Sequence, residues 1–263
     1  MHSDAFDRYH HHESPLHRLD PRIKVVVSIL YILSNALLPD GAWLAFVLAW
    51  LFLFLANALS DLGLGYTFRR SFIALPFALV AVTVLFSLPG EALVRFHFMM
   101  SEFTITDAGL WRFVSIVIRS WLSVQMAILL VAVTRFPDLI HAFEHLRVPA
   151  ILTTIIAFLY RYLFVLTDEV IRLLRARQSR SAAVSGQRSG GGVLWRARVA
   201  GSMAGQLFLR SYERSDRIYN AMMARGYAGQ LRTLNPHILR GRDWMYAVLA
   251  FLFILAMQFV GRF

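Results

Sequence analysis

The chain has 263 residues, of which 57% are hydrophobic and 16% are charged. Soluble domains average about 45–50% apolar and about 25% charged residues, so this composition excludes an ordinary soluble protein and predicts an integral membrane protein. The net charge is +11, and Lys24 is the only lysine. Because Lys24 follows no glycine-rich turn, the chain has no Walker A ATP site, and the absence of cysteine excludes disulfides and thiolate metal sites.

Five apolar stretches are long enough to cross a bilayer, which takes about 17–25 residues in a helix. They cover residues 23–39, 43–60, 72–88, 113–134 and 244–260. Arg119 lies near one end of the fourth stretch, from where its side chain reaches the interface. Pro76 lies in the third, and membrane-embedded helices accommodate prolines. The sequence therefore predicts five transmembrane helices.

A sixth apolar stretch, residues 148–167, carries Arg161 well inside it. The segment 168–243 that follows has 14 arginines and five acidic residues. It therefore carries a charge of +9 out of the net +11 of the chain. Positively charged loops face the cytoplasm. Four spans that start inside return the chain to the inside at Arg135, so a crossing at 148–167 would place the arginines outside. We therefore predict that this stretch does not cross and lies at or below the cytoplasmic face.

The predicted organisation is all-α and has four parts. These are a cytoplasmic N-terminal segment (1–22), a four-span membrane domain (23–134), a cytoplasmic domain (135–243), and a fifth span with the C-terminus (244–263). Two long helices, at about 148–181 and 193–227, flank a Gly/Ser-rich hinge at 185–192. In the first of them, Asp168 and Arg172 have the spacing of a supporting ion pair.

The second long helix has a basic face. Arg210, Arg214, Arg217 and Arg225 are spaced by 4, 3 and 8 residues and share one sector, while Phe208, Tyr212, Tyr219 and Met223 fall on the opposite side. Such a face suits anionic lipid headgroups or an acidic protein partner, because arginine binds carboxylates in a bidentate manner. Nucleic acid is a poorer explanation, since the basic face has no interleaved stacking aromatics.

One short pattern indicates different chemistry. His141, Glu144 and His145 match H-x-x-E-H, the inverted zinc-protease motif, which places both histidines on one helical face. The pattern is short, and no downstream glutamate stands out as a third ligand. His2, His17 and the run His10–His12 could also bind a transition metal through their imidazoles, although a histidine run in a polar tail more often has no fixed coordination.

Four segments resemble a known family. The sequence SPLHRLDPR, residues 14–22, resembles the opening of the T components of energy-coupling factor (ECF) transporters. The sequences YRYLFV (160–165) leading into RARQSR (175–180), and RIYNAMMARGY (217–227), look like the cobalt branch, the CbiQ family. The resemblance covers nearly the whole chain in order.

The resemblance implies a non-catalytic scaffold with no cofactor of its own. Two long cytoplasmic coupling helices each carry an Ala-Arg-(Gly/Ser) signature that docks into an ATPase subunit. The matching residues here are Ala176-Arg177-Gln178 and Ala224-Arg225-Gly226, with Arg180 as a further contact where Gln178 departs from the motif. Arg210, Arg214 and Arg217 would form a supporting basic face.

The implied partners are two ATP-binding subunits, a substrate-binding S component of the CbiM type, a small CbiN-type membrane subunit, and the lipid bilayer, with no nucleic acid. The resemblance thus predicts a multi-pass subunit of a cobalt importer that serves cobalamin biosynthesis. This subunit would lie in the bacterial inner membrane, with its N-terminus and coupling helices in the cytoplasm. The alternatives are a nickel importer of the same kind and a membrane-embedded metal hydrolase that uses His141, Glu144 and His145.

Overall fold

The computed structural model describes residues 9, 14–87, 92–98, 101–180, 192–229 and 239–263. The predicted all-α class is confirmed, with one small β-hairpin in addition. The elements in chain order are α1 (Pro21–Ala36), α2 (Trp43–Ser60), α3 (Leu64–Arg70), a 3-10 turn (Ser71–Ala74), α4 (Leu75–Ala81), α5 (Val84–Ser87), β1 (Ala92–Phe98), β2 (Ser101–Thr106), α6 (Asp107–Val133), α7 (Phe136–His145), α8 (Ala150–Arg180), α9 (Val193–Ala224) and α10 (Gly241–Arg262).

The described residues divide into two compact units. The first, called here the bundle unit, runs to His145 and resumes with the final segment from Leu239. The second, the arm unit, comprises the residues from Leu146 to Gly229 and contains α8 and α9. The predicted hinge at 185–192 falls almost entirely outside the described residues.

Four described helices are long and apolar enough to cross a membrane, namely α2, α6, α8 and α10, and the bent segment 65–86 is a fifth candidate. Four of these five coincide with predicted spans. Helix α1, predicted as a span over 23–39, has 16 residues and is about 24 Å long, so it falls short of the usual length. Helix α8 has the length and the apolar composition of a membrane span. Its predicted position outside the bilayer stays a prediction.

The core of the bundle unit lies where α1, α2, α6 and α10 meet. Helix α2 presents Ala45, Ala49 and Leu53 at four-residue intervals, and all three are buried. The two alanines let neighbouring backbones approach closely, as small residues do between membrane helices. Tyr31 of α1 is fully buried there and donates its hydroxyl to the Ala49 carbonyl at 2.9 Å. The remaining buried members of this cluster are Leu38, Phe46, Leu122, Met126, Leu129, Val133, Ile254 and Met257.

The outer surface of the bundle unit is apolar. Leu44, Val47 and Leu249 are 72%, 64% and 63% exposed. A soluble protein rarely exposes so many large apolar side chains together, whereas a lipid environment requires no polar surface. The exposed apolar residues of these helices therefore match a membrane-embedded bundle.

The third predicted span, residues 72–88, is not one straight helix. It is broken into the 3-10 turn, α4 and α5, and the two halves of segment 65–86 meet at 48°. Pro76 lies in the first turn of α4. Proline has no N–H to donate and its ring clashes with the carbonyl four residues earlier, so it ends the preceding helix. The stretch therefore accommodates Pro76 as a bent span rather than as a straight helix.

The connection between the third and fourth predicted spans contains local structure. Strands β1 and β2 form an antiparallel hairpin within it. Helix α6 begins at Asp107, six residues before the predicted start at 113. The Thr106 hydroxyl accepts a hydrogen bond from the Gly109 N–H at 3.2 Å and so caps the helix. The threonine before an acidic first turn was the signal for this start.

Gly109 allows a close helix contact, and we expect Gly109→Ala to destabilise the bundle unit by about 1–3 kcal/mol. A Cβ at this position would lie 2.8 Å from both the Leu85 carbonyl oxygen and the Thr106 hydroxyl oxygen. Thermal unfolding in detergent measures the effect. Gly65→Ala is the matched control, because nothing lies within 4 Å of the added Cβ. Equal melting temperatures for the two variants would contradict the expectation.

The opening segment, residues 14–22, packs into the bundle unit. Ser14 is fully buried, and its hydroxyl lies 2.7 Å from His17 Nδ1. Asp20 caps α1 by accepting the Arg22 N–H at 2.9 Å, and Pro21 occupies the first helical position. Proline is well suited to that position, because the N–H that it lacks would have no partner within the helix. The Asp-Pro pair of this segment therefore has a structural role at the start of α1.

Lys24 ties this segment to the end of α6. Its ammonium group donates to the His17 carbonyl at 3.0 Å and to the Val133 carbonyl at 3.2 Å. A carbonyl at the C-terminus of a helix attracts a cation. The only lysine of the chain thus fixes the start of α1 against the end of α6.

Candidate functional site

The site residues expected from the sequence lie in the arm unit, where one ion pair joins its two long helices. Glu169 of α8 accepts a hydrogen bond from the guanidinium of Arg210 on α9. The other carboxylate oxygen of Glu169 lies 3.3 Å from Arg172 Nη2. Glu169 is only 14% exposed, whereas the side chains of Arg210 and Arg172 are 58% and 67% exposed. The predicted pairing of Arg172 with Asp168 is therefore replaced by a pairing with Glu169.

Two grooves open on either side of this ion pair. The first, of about 750 Å³, lies between residues 151–166 of α8 and residues 208–222 of α9. The second, of about 680 Å³, lies between residues 169–180 of α8 and residues 195–210 of α9. The start of each helix thus lies beside the end of the other. The helices are antiparallel, and the pairing of Glu169 with Arg210 lies between the two grooves.

This arrangement separates the two Ala-Arg signatures. Met222, just before the second signature, lines the first groove together with Thr154. Ala176 of the first signature lines the second groove and lies 22 residues beyond Thr154 along α8. At 1.5 Å per residue, that is about 33 Å. The signatures therefore lie at opposite ends of the crossed pair.

The second signature forms the end of α9. Gly226 has φ +79°, its N–H donates to the Met223 carbonyl, and the Tyr227 N–H donates to the Met222 carbonyl, both at 3.0 Å. These two bonds form a Schellman motif, which terminates a helix with a residue in the left-handed conformation. Arg225 precedes that residue and is exposed. The glycine of this signature thus fixes where the helix stops.

The first signature has a different backbone. Ala176, Arg177 and Gln178 lie within α8, which continues to Arg180. Arg177 is half-buried and lines the second groove, as do Ala176 and Arg180. Gln178 replaces the helix-terminating glycine, so the chain stays helical through this signature. The two signatures therefore present their arginines on different local structures.

The supporting arginines are not equivalent in the structure. Arg210 is engaged with Glu169, and Arg217 is exposed. Arg214 is half-buried and lines the first groove together with Tyr212 and Tyr219. The sequence predicts the arginines and the aromatic residues on opposite sides of the helix. Of these arginines, Arg214 lines the groove beside the aromatic residues.

The H-x-x-E-H segment lies in α7 of the bundle unit. The rings of His141 and His145 are in contact, with centroids 4.7 Å apart. Arg22 Nη2 lies 2.6 Å from His145 Nε2. A guanidinium has only donors, so it occupies the lone pair that a metal would need and places a positive charge there. Within the described ranges, no three His, Asp or Glu side chains are grouped to hold a metal. His2 and His10–His12 lie outside those ranges.

Comparison with known proteins extends over almost the whole chain. Residues 12–236 match the family model CbiQ, described as cobalt transport protein. The chain is 28% identical to the energy-coupling factor transporter transmembrane protein EcfT of Thermanaerovibrio acidaminovorans, over 95% of this chain and 93% of the relative. It is 29% identical to EcfT of Heliobacterium modesticaldum, over 90% and 89%.

EcfT of Acidaminococcus fermentans is 28% identical, over 89% of this chain and 88% of the relative. These alignments run through the bundle unit and the arm unit alike, so the likeness extends beyond the apolar helices that unrelated membrane proteins share. The matched segment also contains both Ala-Arg signatures and the opening segment. The chain therefore belongs to the CbiQ family and is the transmembrane T component of an energy-coupling factor transporter.

Proposed function

We propose that this subunit couples ATP hydrolysis in separate ATPase subunits to a substrate-binding membrane component. Its own role is mechanical rather than catalytic. The observation that carries the proposal is that the two signatures lie at opposite ends of the paired helices, since Thr154, in the groove beside the second signature, is about 33 Å along α8 from Ala176 of the first. Two docking points so far apart suit two ATPase subunits, one at each end. When the ATPases close on ATP, the ends move and the crossed helices transmit that movement.

The chemistry of the signature arginines supports docking to acidic grooves. Arg225 is exposed at the end of α9 and Arg177 is half-buried in a groove of the arm unit. Guanidinium groups form bidentate hydrogen bonds with carboxylates, which gives both energy and orientation. Segment 168–243 has 14 arginines and five acidic residues, and this excess of positive charge supports a cytoplasmic position for these helices. The cytoplasm is the side of the membrane where ATPase subunits reside.

The proposed cargo is cobalt for cobalamin biosynthesis, with a CbiM-type substrate component and a small CbiN-type subunit. The description of the matching family supports it. Nickel is the alternative cargo. Uptake of radiolabelled Co²⁺ in cells that express the complete complex, with and without this chain, tests the proposal. Co²⁺ uptake that depends on the chain supports the proposal. Chain-dependent uptake of Ni²⁺ alone identifies a nickel importer. If neither metal is taken up in a chain-dependent manner, the metal assignment is contradicted.

The helix end at Gly226 gives a test of the docking geometry. We expect Gly226→Val to lower co-purification of the ATPase subunits, because a β-branched residue at φ +79° costs about 1–2 kcal/mol and shifts the helix end that presents Arg225. Gly205→Val is the matched control, since Gly205 is helical and nothing lies within 4 Å of an added Cβ. Equal ATPase recovery with both variants would show that the terminating glycine is not needed for docking.

A further inference from the structure

The second groove of the arm unit concentrates positive charge. Four arginines line it, together with Glu169 as the single acidic residue. These arginines are Arg172, Arg177, Arg180 and Arg210. Since one carboxylate offsets one guanidinium, the lining carries a net charge of about +3. Ser202 and Gln206 add neutral hydrogen-bonding groups to the same lining. The groove is therefore suited to an anion with several acceptor oxygens.

The apolar half of α8 lies close to the same groove. An 18-residue window of α8 has a mean hydropathy of 1.8, which is enough for a membrane segment. Arg172 lies six residues beyond Leu166, or about 9 Å along the helix. Clusters of arginines directly after an apolar helix attract anionic lipids. The groove therefore lies where a lipid headgroup is within reach of the arginines.

We infer that this groove binds the phosphate-bearing headgroup of an anionic phospholipid, with the acyl chains of the lipid on the side of the apolar half of α8. Arg172 and Arg210 hold the phosphate at the inner end of the groove, which is the end nearer that apolar half. Glu169 fixes both guanidinium groups through its two oxygens, so their orientation is set before the lipid arrives. Guanidinium groups oriented in this way offer paired donors to phosphate oxygens.

The inference does not depend on ATPase docking, although the outer end of the groove includes the proposed docking residues Arg177 and Arg180. The variants that test it therefore alter the inner end. Arg198 is the matched control, because it is an exposed arginine of the same helix and is not among the groove-lining residues.

Native mass spectrometry of the full chain in detergent measures the binding, with phosphatidylglycerol and phosphatidylcholine as the two probes. We expect preferential retention of phosphatidylglycerol, and a loss of roughly fivefold in its affinity for each arginine removed in Arg172→Gln and Arg210→Gln. Arg198→Gln should retain the wild-type preference. Arg172→Gln leaves the pairing of Glu169 with Arg210 intact, so a loss of binding in this variant is not a loss of the contact between the helices.

Three outcomes would overturn the inference: equal retention of the two lipids, an equal loss in Arg198→Gln, or complete displacement of phosphatidylglycerol by inorganic phosphate at matched ionic strength. The last result would identify a free-phosphate site instead. Co-purification of the ATPase subunits with the same variants separates the two proposals. If the variants bind both lipids equally but still recover the ATPase subunits, the lipid inference fails and the coupling proposal stands. If the variants lose the ATPase subunits and the wild-type chain shows no lipid preference, the groove is a protein-docking surface.

Discussion

Replacing Arg225 by glutamate is expected to reduce co-purification of the ATPase subunits on the order of 30-fold or more and to abolish metal uptake. Removal of one partner from a desolvated charge pair costs about 2–5 kcal/mol, much of it from the partner group left unpaired. Charge reversal adds repulsion to that loss. Arg225 is exposed at the end of α9, so the substitution leaves the packing of the crossed helices intact.

Arg198→Glu is the control for this experiment, because it makes the same change of charge on an exposed position of the same helix. An arginine on a solvated face contributes little, so this variant should retain both ATPase binding and uptake. Full ATPase recovery with Arg225→Glu would contradict the docking assignment. Equal losses in both variants would show that the overall charge of α9, rather than the signature, holds the ATPase.

The two signatures also predict different results from each other. Arg177→Glu should weaken ATPase binding as well, but Arg177 is half-buried within a helix that continues to Arg180, which lines the same groove. A second arginine nearby compensates in part. Arg225 has the Schellman turn immediately after it. The larger effect is therefore expected at Arg225.

Much of the helical organisation is readable from local sequence. Helix α8 spans Ala150–Arg180 and α9 spans Val193–Ala224, against expected helices at 148–181 and 193–227. Pro149, the glycines at 190–192 and Gly226 mark three of these four ends. Such signals act within one or two turns of the chain, so a single sequence displays them.

The features that the sequence analysis missed have two different causes. Thr106 and Pro76 are local signals, and a stricter reading of caps and proline breaks would have found the start of α6 and the bend after α3. The pairing of Glu169 with Arg210 joins residues 41 positions apart. This pairing depends on how the two helices pack against each other. The hydrophobic periodicity of either helix alone does not determine that packing. The placement of Arg214 in an aromatic groove has the same origin.

The ion pair at the crossing gives the second large expected effect, because we expect it to hold the two coupling helices together during transport. Arg210→Glu places two carboxylates opposite each other, since Glu169 is only 14% exposed and directed at this position. We expect uptake to fall at least about tenfold. ATPase binding should persist, because Arg177 and Arg225 are unchanged. Uptake measured alongside ATPase co-purification detects this separation of binding from coupling.

The reciprocal exchange tests whether the pair itself is responsible. Glu169→Arg combined with Arg210→Glu restores opposite charges across the crossing, although the introduced guanidinium would then lie three residues before Arg172, and that repulsion costs a few tenths of a kcal/mol. We therefore expect the double variant to recover most of the uptake that each single variant loses. Such non-additivity is the signature of a direct interaction between neighbouring residues. Additive losses would instead show that Glu169 and Arg210 act separately, and the crossing would then owe its stability to the apolar contacts between α8 and α9.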